Sequence, residues 1–146
     1  MKDIRKERAV DWKIEVVTIP VSNIDRAIEF YAEKVGFNVD IDFRVSDEVR
    51  LVQLTPPGSG CSIHLGKNTV DMVPGSIDGV FLVVPDVRAA HAELAGRGVE
   101  VGEIQVFDAG SYRTAREGED LDNVGCVFFR DPDGNRWCVQ QIPPRS

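Results

Sequence analysis

The segment IEVVTIPVSNIDRAIEFYAEKVGF, residues 14–37, determines the fold class of this 146-residue chain. Residues 14–21 are rich in β-branched side chains, which favour a β-strand. Ser22 follows as the predicted N-cap of a helix with Asp25 in its first turn, and apolar residues then recur at helical spacing. Gly36 supplies a helix stop, because glycine readily adopts the left-handed backbone of a helix C-terminus. The segment therefore predicts a strand followed by an amphipathic helix.

Further strands follow this pair in both halves of the chain. In the first half, β-branched runs separated by turn residues predict strands at residues 38–45, 49–55 and 61–66. The second half predicts a helix capped by Asp86, together with strands at residues 77–85, 99–106, 126–130 and 136–142. The last two strands flank DPDGN, in which proline and glycine favour a tight turn. Each half therefore predicts the order β-α-β-β-β.

The two halves also resemble each other in sequence. VSNI, from Val21, aligns with VPDV, from Val84, and the helices that follow keep the same offset. Such internal duplication is typical of tandem supersecondary units. We therefore predict an α+β fold in which two βαβββ modules in tandem, residues 14–66 and 76–142, form a curved mixed sheet after an N-terminal extension at residues 1–13.

Composition and charge narrow the class of protein. Seventeen Lys and Arg residues against twenty-four Asp and Glu residues give a formal net charge of −7, which disfavours nucleic acid and anionic membrane surfaces as partners. No apolar run approaches the roughly 20 residues of a membrane helix, and the charged N-terminal residues lack the apolar core of a signal peptide. The three cysteines show no C-x-x-C spacing, which favours free thiols. These features predict a cytoplasmic protein.

One long polar segment, residues 107–125, interrupts the second module. Loops of this length in compact domains are commonly lids or disordered segments. Tyr112 and Arg113 lie in this segment and are candidates to close over an anionic or aromatic ligand. Its acidic residues follow no metal-binding order, so we interpret them as a solvated charged run.

Two motifs, together with the tandem βαβββ order, connect the chain to a known family. The first helix carries AIEFYAEKVGF, from Ala27, and the closing hairpin carries DPDGNRW, from Asp131. In this combination the sequence resembles the vicinal oxygen chelate superfamily, whose members include glyoxalase I, extradiol dioxygenases, fosfomycin-resistance transferases and bleomycin-resistance proteins. The resemblance implies that paired modules enclose a pocket for a small molecule and that the chain forms a homodimer.

Many enzymes that the sequence resembles hold a divalent metal, and their ligand positions can be matched to this chain. The two first-strand positions fall on Val16 and Gly79, which have no donor side chains. The last-strand positions fall on Cys138 and on either Ser62 or His64. Because a catalytic metal normally keeps three protein ligands, we expect no cofactor and no catalytic metal.

A one-residue slip of a strand leaves a metal-dependent alternative open. Strand side chains alternate between the two faces of a sheet, so a slip would turn Glu15 and Gln141 inward. With His64, these residues form a fallback set of ligands for a divalent metal.

The residues expected to face the pocket supply the candidate site. His64 is the candidate catalytic acid or base. Cys138 is a candidate nucleophile, because a neighbouring imidazole can lower the pKa of a thiol, although a buried cysteine also serves simply as a small apolar side chain. Because strand side chains alternate, Cys138 and Gln140 are expected on one face of the last strand and Trp137 on the opposite face. The candidate ligand contacts are polar or aromatic side chains of the predicted strands and of the polar segment: Thr18, Ser62, Phe81, Gln140, Trp137, Tyr112 and Arg113.

Three functions remain open at this point. The first, which we favour narrowly, is a metal-independent glyoxalase-like enzyme of lyase or isomerase type. It would act on a small organic molecule through His64, Cys138 or Gln140 as acid, base or orienting group. The second is a bleomycin-resistance-type protein that sequesters a drug or metabolite without chemistry. The third is a metal-dependent glyoxalase or dioxygenase with displaced ligands. The fold does not distinguish these three functions, because one fold hosts many reactions. The residues that line the pocket have to distinguish them.

Overall fold

In the computed structural model, which describes residues 10–144, the chain folds as two mixed β-sheets with two helices. The first sheet contains β1 (Val16–Pro20), β2 (Asn38–Arg44), β3 (Arg50–Thr55) and β4 (Ser62–Gly66). The second contains β5 (Asp78–Val84), β6 (Gln105–Asp108), β7 (Ser111–Thr114), β8 (Gly125–Arg130) and β9 (Arg136–Gln141). The helices are α1 (Ile24–Ile28), which continues as a π-helical segment (Glu29–Val35), and α2 (Val87–Gly96).

The two sheets share one topology. Strand order is β1-β4-β3-β2 in the first sheet and β5-β9-β8-β6-β7 in the second. In each sheet the first strand of that half runs parallel to the last one, and the other pairs are antiparallel. The predicted α+β class and the repeated βαβββ order are therefore confirmed, with β7 as an additional strand and with two sheets. Of the predicted N-terminal extension, residues 1–13, the first nine residues lie outside the described part of the chain.

The N-terminus of α1 differs from the prediction. Its N-cap is Asn23, whose side-chain oxygen accepts a hydrogen bond from the backbone N–H of Arg26 at 3.0 Å. Ser22, the predicted cap, instead donates its hydroxyl hydrogen to the carboxylate of Asp133 in the closing hairpin. The helical segment ends at Gly36 with a φ of 93°, as predicted.

The polar segment 107–125 contains an ordered hairpin. The predicted strand at 99–106 is replaced by β6, which begins at Gln105 and pairs with β7 across a turn of Ala109 and Gly110. Both turn residues have positive φ, 51° and 88°, which is the geometry of a type I′ hairpin turn. Of the two expectations for this segment, disorder is therefore wrong for residues 107–114, which form the ordered hairpin.

One apolar core lies between the helices and the inner faces of the sheets. The buried strand residues of this core include Ile19, Val52, Leu54, Leu65, Val127, Phe129, Trp137 and Val139. The helices contribute Ala27, Phe30, Tyr31, Val87 and Leu94. Strand side chains alternate, so the residues between these core positions project from the opposite, open face of each sheet. No helix within residues 10–144 is both long and apolar enough to cross a membrane.

A buried polar network joins the two halves of the chain. The hydroxyl of Tyr31 donates to the carboxylate of Asp131 at 2.7 Å and accepts a hydrogen bond from Nε1 of Trp137 at 2.9 Å. The side-chain amide of Asn135 donates to Asp131 at 2.7 Å and to the carbonyl of Pro20 at 2.9 Å. Because buried polar groups are costly without partners, this network fixes how the first helix meets the closing hairpin.

Candidate functional site

The open face of the second sheet carries a cavity of about 130 Å³, here called the second-sheet pocket. The strand register brings Phe81 of β5, Cys138 of β9 and Phe128 of β8 side by side on this face. Aromatic side chains, two cysteine thiols, one glutamine and two loop residues line this pocket. The lining residues are Phe81, Phe107, Tyr112, Asn123, Val124, Cys126, Cys138 and Gln140.

The aromatic walls are held by edge-to-face contacts. Tyr112 lies 5.2 Å from Phe107 and 5.2 Å from Phe128, measured between ring centroids, with interplanar angles of 60° and 89°. The guanidinium carbon of Arg136 lies 4.6 Å from the centroid of Phe128. Such aromatic and cation–π contacts favour fixed ring positions, so this wall presents a preformed apolar surface with a cation at its edge.

The charge of Arg136 is balanced by one carboxylate. Nε of Arg136 donates to Asp78 at 2.9 Å, and this pairing lowers the pKa of Asp78 and raises that of Arg136. Both groups therefore remain charged at neutral pH, and the edge of the pocket carries a fixed ion pair.

Cys126 and Cys138 are free thiols, and both are buried. A hydrogen bond from Cys138 lowers the pKa of Cys126, whereas the neighbouring Cys126 and burial raise the pKa of Cys138. Cys138 therefore stays protonated at neutral pH. Since the thiolate is the nucleophilic form of cysteine, the predicted role of Cys138 as a nucleophile has no support from its surroundings.

Ion pairs within the β6–β7 hairpin and the loop that follows it hold Arg113, the neighbour of Tyr112. Arg113, the next residue in β7, contacts Asp108 at 3.0 Å and Glu119 at 2.6 Å. These contacts direct Arg113 to the hairpin and the following loop. Arg113 does not line the second-sheet pocket in one copy of the chain, and its role as a ligand contact stays a prediction.

His64, Thr18 and Ser62 lie on the open face of the first sheet. Thr18 of β1 and Gln53 of β3 flank His64 in the strand register, and Nε2 of His64 is 2.9 Å from Oε1 of Gln53. The hydroxyl of Ser62 is 2.6 Å from that of Thr55. None of these residues lines the second-sheet pocket. Within one copy of the chain, His64 and Cys138 therefore belong to different sheets.

Trp137 lies in the core and does not line the pocket. It is 1% exposed and packs against Tyr31, Phe37 and Phe129. Strand alternation explains this position, because Trp137 and Cys138 are successive residues of β9 and project to opposite faces. Gln140, two residues after Cys138, does line the pocket and donates from Nε2 to the carbonyl of Asn123 at 3.1 Å.

The donor set does not fit the metal centre that the superfamily resemblance implies. Val16 supplies no donor atom, and Gly79 faces open space with a φ of 103°. In the fallback set, Glu15 is exposed, while the amide of Gln141 is engaged by the backbone N–H of Val87 at 2.9 Å and by the carboxylate of Asp122 at 2.8 Å. Among residues 10–144, no three His, Cys, Asp or Glu side chains are grouped to hold a metal ion.

Several lining residues were missed by the sequence reasoning. No ligand-contacting role was predicted for Cys126, Phe107, Asn123 or Val124. The pairing of Cys126 with Gln140 across β8 and β9 brings it to the pocket. The hairpin motif DPDGN was the available signal, because it sets β8 against β9 and so predicts which residues of the two strands lie opposite each other.

Comparisons with known proteins place this geometry in a family. The model of the Glyoxalase/Bleomycin resistance protein/Dioxygenase superfamily matches residues 13–139. TnmS3, an antibiotic binding protein from Streptomyces sp. CB03234, is 30% identical, with 92% of this chain and 98% of that chain covered and a TM-score of 0.70. A glyoxalase/bleomycin resistance protein from the same organism is also 30% identical, with coverage of 88% and 100% and a TM-score of 0.67.

A third solved structure, a superfamily member from Sphaerobacter thermophilus DSM 20745, is 25% identical, covers 90% of this chain and 98% of its own, and has a TM-score of 0.70. A comparison with curated proteins found no match. The family match extends over most of the chain and agrees with the repeated βαβββ topology. The chain therefore belongs to the Glyoxalase/Bleomycin resistance protein/Dioxygenase superfamily.

Proposed function

We propose that this protein binds a small aromatic molecule in the second-sheet pocket and sequesters it without metal-dependent chemistry. The observation that carries the proposal is the convergence of Phe81, Phe107 and Tyr112 on one cavity. Val16 and Gly79, at the positions of the superfamily's metal ligands, support the absence of a catalytic metal. The similarity to TnmS3, an antibiotic binding protein, favours an antibiotic-like ligand.

The pocket chemistry favours binding over turnover. The walls are apolar, the thiol of Cys138 is protonated, and the candidate base His64 lies on the other sheet. Offset or edge-to-face contacts with an aromatic ligand contribute about 0.5–1.5 kcal/mol per pair beyond area burial. Several such contacts in a preformed site supply affinity without any reacting group.

We also propose that the binding unit is a homodimer. A cavity of about 130 Å³ in one copy is smaller than the roughly 300 Å³ at which ligand pockets usually begin. Large apolar side chains remain exposed on the open faces of both sheets, including Ile41, Phe43, Phe81 and Val83. A second copy that covers these faces would bury them and enlarge the cavity, which agrees with the pairing implied by the superfamily resemblance.

Sedimentation equilibrium tests the homodimer. The wild type is expected to sediment as a dimer, and Phe43→Glu is expected to give monomers, because a charge would then lie in the buried interface. Trp12→Glu is the matched control, since Trp12 is 82% exposed and lies outside the strands. A monomeric wild type, or a Phe43→Glu variant that remains dimeric, contradicts the proposal.

Ligand binding is tested with the fluorescent aromatic probe anilinonaphthalene sulfonate, followed by displacement with a panel of aromatic antibiotics. Binding should saturate with one probe per pocket, and Phe81→Ala should weaken it by about tenfold, the equivalent of one aromatic contact. Trp12→Ala should bind as the wild type does. Unsaturable binding, or wild-type affinity in Phe81→Ala, contradicts the proposed site.

Mass spectrometry of the ligands after incubation distinguishes sequestration from catalysis. The sequestering function predicts that every bound compound is recovered unchanged. A product that forms with the wild type and disappears with His64→Gln would overturn sequestration and favour a metal-independent enzyme.

We propose a cytoplasmic location as well. Neighbouring thiols such as Cys126 and Cys138 persist most readily in a reducing compartment. Cell fractionation with detection of the protein tests this, and recovery outside the cytoplasm contradicts it.

A further inference from the structure

Two thiols lie together in the second-sheet pocket. Cys126 on β8 is paired with Gln140, and Cys138 on β9 is paired with Phe128, so the two cysteines are diagonal neighbours on one face. Their side chains are 2% and 3% exposed, and both line the cavity. Binding of an aromatic molecule uses the walls of this pocket and gives the pair of sulfurs no role.

The number and the chemical softness of the donor atoms limit which cations the two cysteines can bind. The other polar lining residues, Tyr112, Asn123 and Gln140, offer oxygen or amide groups, and His64 belongs to the other sheet. The pocket thus offers two sulfur donors and no imidazole or carboxylate. Zn²⁺ in proteins is almost always held by three or four side chains, whereas soft thiolate donors select copper(I).

We propose that Cys126 and Cys138 together bind one soft monovalent cation of the copper(I) class in the second-sheet pocket. On binding, two S–H bonds break, two S–Cu bonds form, and two protons pass to solvent. Copper remains in the +1 state, and no electron is transferred. The proposal shares the pocket of the proposed function but requires only its two sulfurs.

One copper(I) ion with two thiolates carries a single negative charge. Arg136, at the edge of the pocket, is already paired with Asp78, so the site adds one negative charge beside an existing ion pair. The two S–Cu bonds have to outweigh the cost of burying that charge, which limits the proposal to a cation with a strong preference for thiolates.

The test is an anaerobic titration of the reduced protein with copper(I) held by the chromophoric chelator bicinchoninate. We expect transfer of one equivalent to the wild type with release of two protons. Cys126→Ala and Cys138→Ala should each lose this transfer. Cys61→Ala, which removes the third and only partly buried thiol, should retain it.

Failure of the proposal has a distinct signature. No transfer to the wild type, unchanged transfer in either pocket variant, or loss of transfer in Cys61→Ala each overturns it. X-ray absorption of the wild-type copper(I) complex provides a test that needs no variant: two sulfur neighbours support the site, and nitrogen or oxygen neighbours overturn it. Saturable binding of anilinonaphthalene sulfonate to the same protein shows separately whether the aromatic site stands.

Discussion

The buried hydroxyl of Tyr31 gives the sharpest test of how the two halves of the chain are joined. Replacing Tyr31 by Phe keeps the ring and removes one oxygen from a fully buried position. That oxygen donates to Asp131 at 2.7 Å and accepts from Nε1 of Trp137 at 2.9 Å. Burial and the adjacent Asp131 carboxylate raise the pKa of Tyr31, so the hydroxyl keeps its proton at any ordinary pH.

The expected loss of stability follows from these two contacts. A hydrogen bond to a charged group contributes about 1.5–3 kcal/mol, and a buried donor left without a partner costs about 1–3 kcal/mol. No cavity term is added, because the aromatic ring remains. Tyr31→Phe should therefore lower the free energy of unfolding by about 3 kcal/mol, a large part of the roughly 5–15 kcal/mol of a typical domain.

Urea unfolding with linear extrapolation measures this change, and the other tyrosine provides the control. Tyr112 is 43% exposed, and its hydroxyl makes no hydrogen bond to residues 10–144. Tyr112→Phe should change stability by less than about 0.5 kcal/mol. The melting temperature of Tyr31→Phe should fall by roughly 6–12 °C. A loss below about 1 kcal/mol, or one equal to that of the control, would refute the role assigned to this network.

Two further predictions concern the backbone at Gly75 and Gly79 and the ion pair between Arg113 and Glu119. Gly75 and Gly79 both have positive φ, 84° and 103°, but a Cβ at Gly75 would collide with the carbonyl of Asp133, whereas one at Gly79 meets nothing within 4 Å. In thermal unfolding, Gly79→Ala should lose about 1 kcal/mol and Gly75→Ala about 3 kcal/mol or more, and equal losses would contradict the contact. The ion pair with Arg113 lowers the pKa of Glu119 from 4.5 to about 2, so its stabilisation is present above pH 4.5 and lost as the pH falls towards 2. Carboxyl NMR titration should give this low pKa and Arg113→Gln should raise it, whereas an ordinary value in the wild type would contradict the pairing.

Local signals in the sequence predicted most of the fold. The strand at residues 14–21, the cap at Asp86 and the DPDGN turn each depend on neighbouring residues, and all three are present. Ser22 was predicted wrongly as a cap because its partner, Asp133, is 111 residues away in sequence. The strand β7 was missed because Ala109, a residue that rarely adopts positive φ, occupies its turn.

Part of the candidate site was predictable from the sequence, because Phe81 on β5 and Tyr112 in the polar segment were candidate ligand contacts and both line the pocket. Alternation along β9 placed Cys138 and Gln140 on one face and Trp137 on the other, as the structure has them. Which side chains stand beside Cys138 depends on the register between strands, which is a non-local property. Cys126 and Phe107 therefore emerged only from the structure.

The residues at the metal positions explain why the two proposals concern the same pocket. With Val16 and Gly79 in place of ligands, a divalent ion would have only two thiol groups as adjacent donors, fewer than the three or four protein ligands that Zn²⁺ usually takes. A neutral aromatic molecule needs no such donors, because its surface matches the walls. A monovalent ion of the copper(I) class prefers soft thiolate donors, and the pocket supplies two of them. Aromatic walls and a single pair of soft donors thus disfavour the superfamily's metal chemistry and favour both kinds of occupant proposed here.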